Sequence, residues 1–89
     1  MTSEQQQLLT FPTDYPFKIV GRPSAEFRAR IHAVVVRHAP DVETDRISER
    51  LSANGNFLSI SYTIRAVSRE QVEALARELS ASEGVLMVL

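Results

Sequence analysis

The sequence predicts an α+β fold in which one four-stranded antiparallel sheet carries two helices on a single face. Apolar residues recur at helical spacing in two segments and alternate with polar residues in others. These segments follow one another as strand, helix, strand, strand, helix, strand. A chain of 89 residues buries enough surface for one two-layer core, so we expect a flexible tail at 1–10 and a single domain at 11–89.

The first strand is predicted over residues 15–22, and Pro16 restricts its start to an edge or entry position because proline donates no hydrogen bond. The first helix is predicted to begin after Ser24, a candidate N-cap, and to end before Pro40. Its buried stripe spans about 80° of the helix circumference. The stripe comprises Phe27, Ile31, Val34, Val35 and His38, and His38 is expected to bond a carbonyl of the last turn.

A polar strand is predicted at 42–53 and a stronger one at 56–66, joined by a tight hairpin turn in which Asn54 and Gly55 adopt positive φ. A second helix is predicted from the capping-box spacing of Ser68 and Gln71 to a stop at Gly84. The apolar residues 85–89 form the last strand.

This order is the ferredoxin-like arrangement, in which right-handed crossovers place both helices on one face and the first and third strands lie in the centre. The opposite face of the sheet is then open. We expect it to carry Lys18, Val20, Phe57, Ser59, Ser61 and Thr63.

The composition argues against several classes of partner and chemistry. With 10 basic and 11 acidic side chains, the chain has no strong net field to attract nucleic acid or an anionic membrane. The absence of cysteine excludes disulfides and thiolate nucleophiles. No segment resembles a signal peptide or approaches the ~20 apolar residues of a membrane span. We therefore expect a cytoplasmic protein without nucleic-acid or membrane partners.

Two functions known for this topology fit the sequence poorly. An RNA-binding sheet stacks bases on alternating aromatics, whereas Asn56 and Leu58 occupy the corresponding positions here. Acylphosphatases use an arginine in the first loop and an asparagine near the third strand, and Arg22 with Asn54 or Asn56 is superficially similar. Their longer glycine-bounded loop is missing here, which argues against this activity. A hydrolase of this type is therefore kept only as the alternative function.

We predict no catalytic, metal or cofactor residues. His32 and His38 lie about 120° apart on their helix and cannot share a metal. The alternating Asp41, Glu43 and Asp45 are better explained as a solvated loop than as cation ligands.

One small-ligand contact is expected at the start of the first helix, where Gly21, Arg22 and Ser24 could hold an anion or effector. The bland interpretation is a solvated arginine beside a capped helix.

Two surfaces are expected to contact a partner protein or a second copy of the chain. Ala29, Ala33 and Val36 lie on the side of the first helix away from its buried stripe, where small side chains permit close approach. The second strand is an edge guarded by charged residues, including Arg46 and Arg50, but not blocked by proline.

Five segments together resemble the YbeD-like proteins, a small bacterial family. They are FPTDYPFKIVG, RHAP, NGNFLSISYTI, EQVEALARELS and VLMVL, and they cover nearly the whole chain from about Phe11 onward. The resemblance implies a ferredoxin-like fold similar to the ligand-sensing regulatory domains of biosynthetic enzymes, and a link by name to lipoate regulation. It supplies no catalytic or cofactor residues. We therefore expect a small non-enzymatic regulatory or adaptor protein that acts through protein contacts, with a small effector as a variant.

Overall fold

A computed structural model describes residues 10–89 and confirms the ferredoxin-like prediction. The tail predicted at 1–10 lies, apart from Thr10, outside the described residues. The sheet has the order β2-β3-β1-β4, so the first and third strands are central as expected. The elements are β1 (Thr13–Gly21), α1 (Ala25–His38), β2 (Ile47–Leu51), β3 (Leu58–Ala66), α2 (Arg69–Ala81) and β4 (Val85–Val88).

The core lies between the sheet and the two helices. Its side chains come from alternate positions of β1 and β3 and from one stripe of each helix. The buried set is Phe17, Ile19, Phe27, Ile31, Val34, Val35, Ala39, Leu58, Ile60, Tyr62, Ile64, Ala66, Leu75 and Leu79.

Strand β1 tolerates a proline although it is central. It pairs with β3 along its whole length but with β4 only toward its Gly21 end. The two backbone hydrogen bonds between Lys18 and Leu89, at 3.0 and 2.8 Å, are the pairing on the β4 side that lies nearest the start of β1. Pro16 lies two residues earlier, beyond this pairing, so its missing N–H costs no ladder bond.

Helix α1 begins as predicted, with the Ser24 hydroxyl accepting the N–H of Phe27 at 3.0 Å. The prediction that His38 bonds a carbonyl of the last turn is wrong. Its Nε2 lies 2.7 Å from Oε1 of Glu78 on α2, while the last-turn carbonyl of Val35 accepts the N–H of Ala39. A contact between residues so far apart in sequence has no local signature.

Strand β2 is shorter than the predicted 42–53. A 3₁₀ turn at Thr44–Arg46 precedes it, closed by the Arg46 N–H donating to the Glu43 carbonyl at 2.9 Å.

The hairpin turn also differs from the prediction. Gly55 has a φ of 75°, but Asn54 does not have positive φ. The Ser52 N–H donates to the Phe57 carbonyl, so the loop is longer than a two-residue turn. The Asn54 side chain stabilises this loop instead, because its Oδ1 accepts from the Ser52 hydroxyl and the Asn56 N–H.

Helix α2 starts at the predicted cap, with the Gln71 N–H donating to Ser68 Oγ at 3.1 Å. The Gln71 side chain then bonds in two directions. Its Oε1 accepts the N–H of Val67 and its Nε2 donates to the carbonyl of His38, both at 2.7 Å. One side chain thus ties the start of α2 to the end of α1.

Strand β4 is an irregular edge. Gly84, with a φ of 91°, makes the turn into it. Val20 pairs with Met87 but Gly21 pairs with Val85, so Leu86 is an extra residue in a β-bulge. The bulge leaves both Leu86 and Met87 largely exposed.

Candidate functional site

The open face of the sheet contains the strand residues that alternation predicted. Val20 pairs with Ser59, Lys18 with Ser61 and Pro16 with Thr63, and all of these point away from the helices. The predicted Phe57, which precedes β3, is 38% exposed.

The two edge strands add residues that the sequence analysis did not place on this face. Arg50 pairs with Ser59, Met87 pairs with Val20, and Leu89 bonds to Lys18, so each lies on the open side. The predicted sheet order was sufficient to place Arg50 on the open face, whereas no sequence pattern indicated the bulge in β4.

The open face carries an excess of positive charge. Lys18, Arg22 and Arg50 are exposed. The strands contribute one acidic side chain, Asp14, whose carboxylate lies 3.3 Å from Arg46 Nη2 and 3.6 Å from Arg65 Nη1. These two arginines offset Asp14, and Asp41 and Glu43 lie beside the same group at the end where β1 begins. The cations Lys18, Arg22 and Arg50 therefore dominate the field only over the rest of the sheet.

Arg22 lies at one end of this face. Its guanidinium carbon is 5.3 Å from the centroid of the Phe57 ring, within the range of a cation–π contact. The stacked pair leaves the guanidinium donors exposed beside an apolar ring, a combination suited to a carboxylate on a partly apolar surface.

The residues predicted to bind an anion do not converge on a cavity. A Cβ on Gly21 would lie 2.3 Å from Phe27 Cζ and 2.5 Å from the Gly84 carbonyl oxygen, so that position is filled. Ser24 Oγ is used by the helix cap, and Arg22 lies over Phe57. Effector contact at Gly21, Arg22 and Ser24 stays a prediction.

The residues predicted to contact a protein do not form one surface. Ala29 and Ala33 are exposed and Val36 is half-buried on the outer side of α1, in the helical layer. Arg50 lies on the opposite side of the molecule, on the open sheet face, and Arg46 bonds to Asp14. These contacts also stay predictions; Arg50 lies on the open face, and Arg46 reaches its end through Asp14.

An apolar groove of about 180 Å³ opens between α2 and the β1–β4 side of the sheet. It is lined by Tyr15, Phe17, Val72, Leu75, Ala76, Leu79, Val88 and Leu89. The groove exists because β4 ends its pairing at Lys18, so the first half of β1 has no neighbouring strand on that side among residues 10–89.

The titratable groups of the helical layer serve local contacts. His32 Nδ1 lies 3.3 Å from the Tyr62 hydroxyl, and Glu78 contacts both His38 and Arg37. Burial, with a smaller effect of the nearby Glu49 carboxylate, raises the pKa of Tyr62 to about 12. Tyr62 is therefore a neutral phenol across the physiological range.

Within residues 10–89, no group of three or more His, Asp or Glu residues is placed to hold a metal ion. Neither helix in this part of the chain has the length and apolar run required to cross a membrane.

These features define a class, that of a small ferredoxin-like domain with an open, basic sheet face. The chain matches the family described as "Protein of unknown function (DUF493)" over residues 6–89, and it belongs to this family. It is 42% identical to a UPF0250 protein of Janthinobacterium sp. (strain Marseille), over 94% of this chain and 92% of that one. It is also 42% identical to a UPF0250 protein of Vibrio cholerae, over 94% and 89%. The resemblance to the YbeD-like family is thus confirmed.

Solved structures with little sequence similarity share the fold. Protein HP0495 from H. pylori aligns with a TM-score of 0.72 at 10% identity, over 91% of this chain and 85% of that one. The ACT domain from GTP pyrophosphokinase of Chlorobium tepidum aligns with a TM-score of 0.65 at 18% identity, over 85% and 84%. At these identities the comparison concerns the fold alone.

Proposed function

We propose that this protein is a non-enzymatic regulatory or adaptor protein that binds an acidic, partly apolar surface of a partner protein through its open sheet face. The observation that carries the proposal is the clustering of Lys18, Arg22 and Arg50 with Phe57 on that face, where Asp14 is already paired. A basic field steers an acidic partner, and an exposed ring supplies apolar contact area. The ACT domain of GTP pyrophosphokinase has the same fold, and this supports a regulatory role by analogy.

Binding of a small effector is the weaker variant of this role. The apolar groove beside α2 has a volume of about 180 Å³, and an open hollow beside Lys18 and Ser61 on the sheet face has about 280 Å³. Ligand pockets usually have volumes of roughly 300–1,000 Å³. The dimensions therefore favour a protein contact over an enclosed ligand.

The test is affinity capture from a host lysate with charge-reversal variants. We expect an acidic host protein to bind the native chain and the control Arg77→Glu, which changes an exposed arginine on α2. The double variant Lys18→Glu, Arg50→Glu should lose it, and the native complex should weaken as salt rises. Addition of the purified chain should then change the activity of the captured protein. Equal capture by all three chains would contradict the proposed face.

A hydrolase of acylphosphatase type remains the alternative from the sequence. Arg22 lies over Phe57 and Asn54 Oδ1 accepts two bonds within its own loop, so both candidate groups are engaged locally. We expect an acyl phosphate to be hydrolysed no faster with the native chain than with Arg22→Ala. A rate that falls at least tenfold in the variant would establish the enzyme instead, since removal of a transition-state contact costs that much or more.

A further inference from the structure

The two edges of the sheet differ in chemistry. The β2 edge presents Ser48, Glu49 and Arg50, and charged residues on an edge discourage pairing with other strands. The side chains of β4 carry no charge, and the strand contains no proline. Its exposed side chains are Leu86, Met87 and Leu89, with 55%, 50% and 65% of their surface accessible.

The backbone of β4 also has a side open for pairing. Lys18 and Leu89 exchange both N–H···O bonds, so Leu89 directs its backbone groups toward β1. Because these directions alternate along an antiparallel strand, the N–H and C=O of Val88 point away from β1. Among residues 10–89, no strand pairs with that outer side.

We propose that β4 pairs antiparallel with β4 of a second copy, with the two-fold axis between the two Val88 residues. In this register each Val88 exchanges two backbone bonds with the other. Met87 then lies opposite Leu89 of the second copy, on the open face. Both side chains of this cross-strand pair are apolar, so the two-fold axis brings no like-charged side chains together. The result is a continuous eight-stranded sheet.

The helical layer accommodates the same axis. Ala76 lines the groove together with Val88 and Leu89, so this side of α2 faces the β4 edge. Ser80 lies one turn further along the same side, and both residues are exposed. Small side chains at these two positions leave room beside this part of α2, while Arg69 and Glu73 lie on the same side nearer the start of the helix.

The contact is small, since it consists of a short strand, three apolar side chains and one narrow helix side. Interfaces of this size belong to the weak class, below about 1,200 Å² of total buried surface. We therefore expect a reversible dimer that forms with rising concentration. The proposal does not depend on the regulatory role, because Arg50→Glu alone changes the open face on β2, at the sheet edge opposite β4.

Sedimentation velocity from micromolar to millimolar concentration tests the edge. The native chain should shift from monomer to dimer, Met87→Lys should stay monomeric, and Leu51→Lys should dimerise as the native chain does. Leu51 is a matched control because it is 52% exposed on the other edge strand. A native chain that stays monomeric overturns the proposal, as does loss of the dimer in Leu51→Lys. A shortened chain that lacks residues 1–9 should also dimerise. If the shortened chain dimerises and the native chain does not, the proposal is wrong, because residues 1–9 of the native chain then cover β4.

Cysteine cross-linking tests the register even if Met87→Lys fails to fold. The chain has no cysteine, so a single introduced thiol reports one contact. Opposed residues of a hydrogen-bonded pair have Cα atoms ~5.5 Å apart, which suits a disulfide. Val88→Cys should form a covalent dimer under mild oxidation far faster than Met87→Cys, whose thiol would lie opposite leucine. Equal rates, or faster cross-linking at Met87, would rule out this register.

Discussion

At the scale of single residues, β3 alternates between two environments. Ile60 is 2% exposed and packs under the helices, while the adjacent Ser61 faces the open side. Both positions lie between β1 and β2 in the middle of the sheet, so their side chains can be compared directly.

Ile60→Ala should lower the free energy of unfolding by about 2–4 kcal/mol, through lost apolar burial and the cavity left behind. Ser61→Ala should change it by no more than about 0.5 kcal/mol. Urea unfolding measures both. A cost below about 1 kcal/mol for Ile60→Ala would mean that β3 is not a central strand.

Tyr62 makes stability depend on alkaline pH. Its pKa rises from 10.0 in the unfolded chain to about 12 in the folded one, mainly by burial. Below pH 10 the phenol is neutral in both states and its contribution is fully present. Between pH 10 and about 12 only the unfolded state ionises, so stability falls with rising pH. The loss should total about 2–3 kcal/mol, and Tyr62→Phe should remove this part of the slope. The same slope in both chains would contradict the assignment.

At the scale of elements, the helix starts could be predicted because caps depend on neighbouring residues. Ser24 and Ser68 each bond an amide three residues ahead, as their spacing indicated. The limits of β2 could not be predicted, because polar residues in a 3₁₀ turn and in an exposed strand follow the same pattern. The prediction of a tight turn at Asn54 and Gly55 was wrong for a related reason, since Asn54 stabilises the loop with its side chain rather than by positive φ.

Ser68→Ala should cost about 1 kcal/mol of stability, because an amide at the start of α2 loses its acceptor. Gln71→Ala should cost a similar amount or more, since Gln71 also bonds Val67 and the carbonyl of His38. Thr63→Ala on the open face is the control and should cost much less. Thermal unfolding of the three variants measures the differences, and a cost for Thr63→Ala equal to that for Ser68→Ala would place the helix start elsewhere.

At the scale of the whole molecule, the layers separate two kinds of surface. Strand alternation was enough to predict most of the open face, including Lys18 and Phe57. It missed the stacking of Arg22 on Phe57 and the exposure of Met87, because loop conformation and a bulge determine these. The protein contacts predicted at Ala29 and Ala33 lie in the other layer and give a competing expectation.

The most direct test of the central claim is NMR mapping of the captured partner on the isotopically labelled chain. We predict that chemical-shift changes concentrate at Lys18, Arg50 and Phe57, because the basic open face carries the contact. Ser24 and Gly21 should show smaller changes than these three. Changes concentrated at Ala29 and Ala33 would place the partner on α1 and contradict the account.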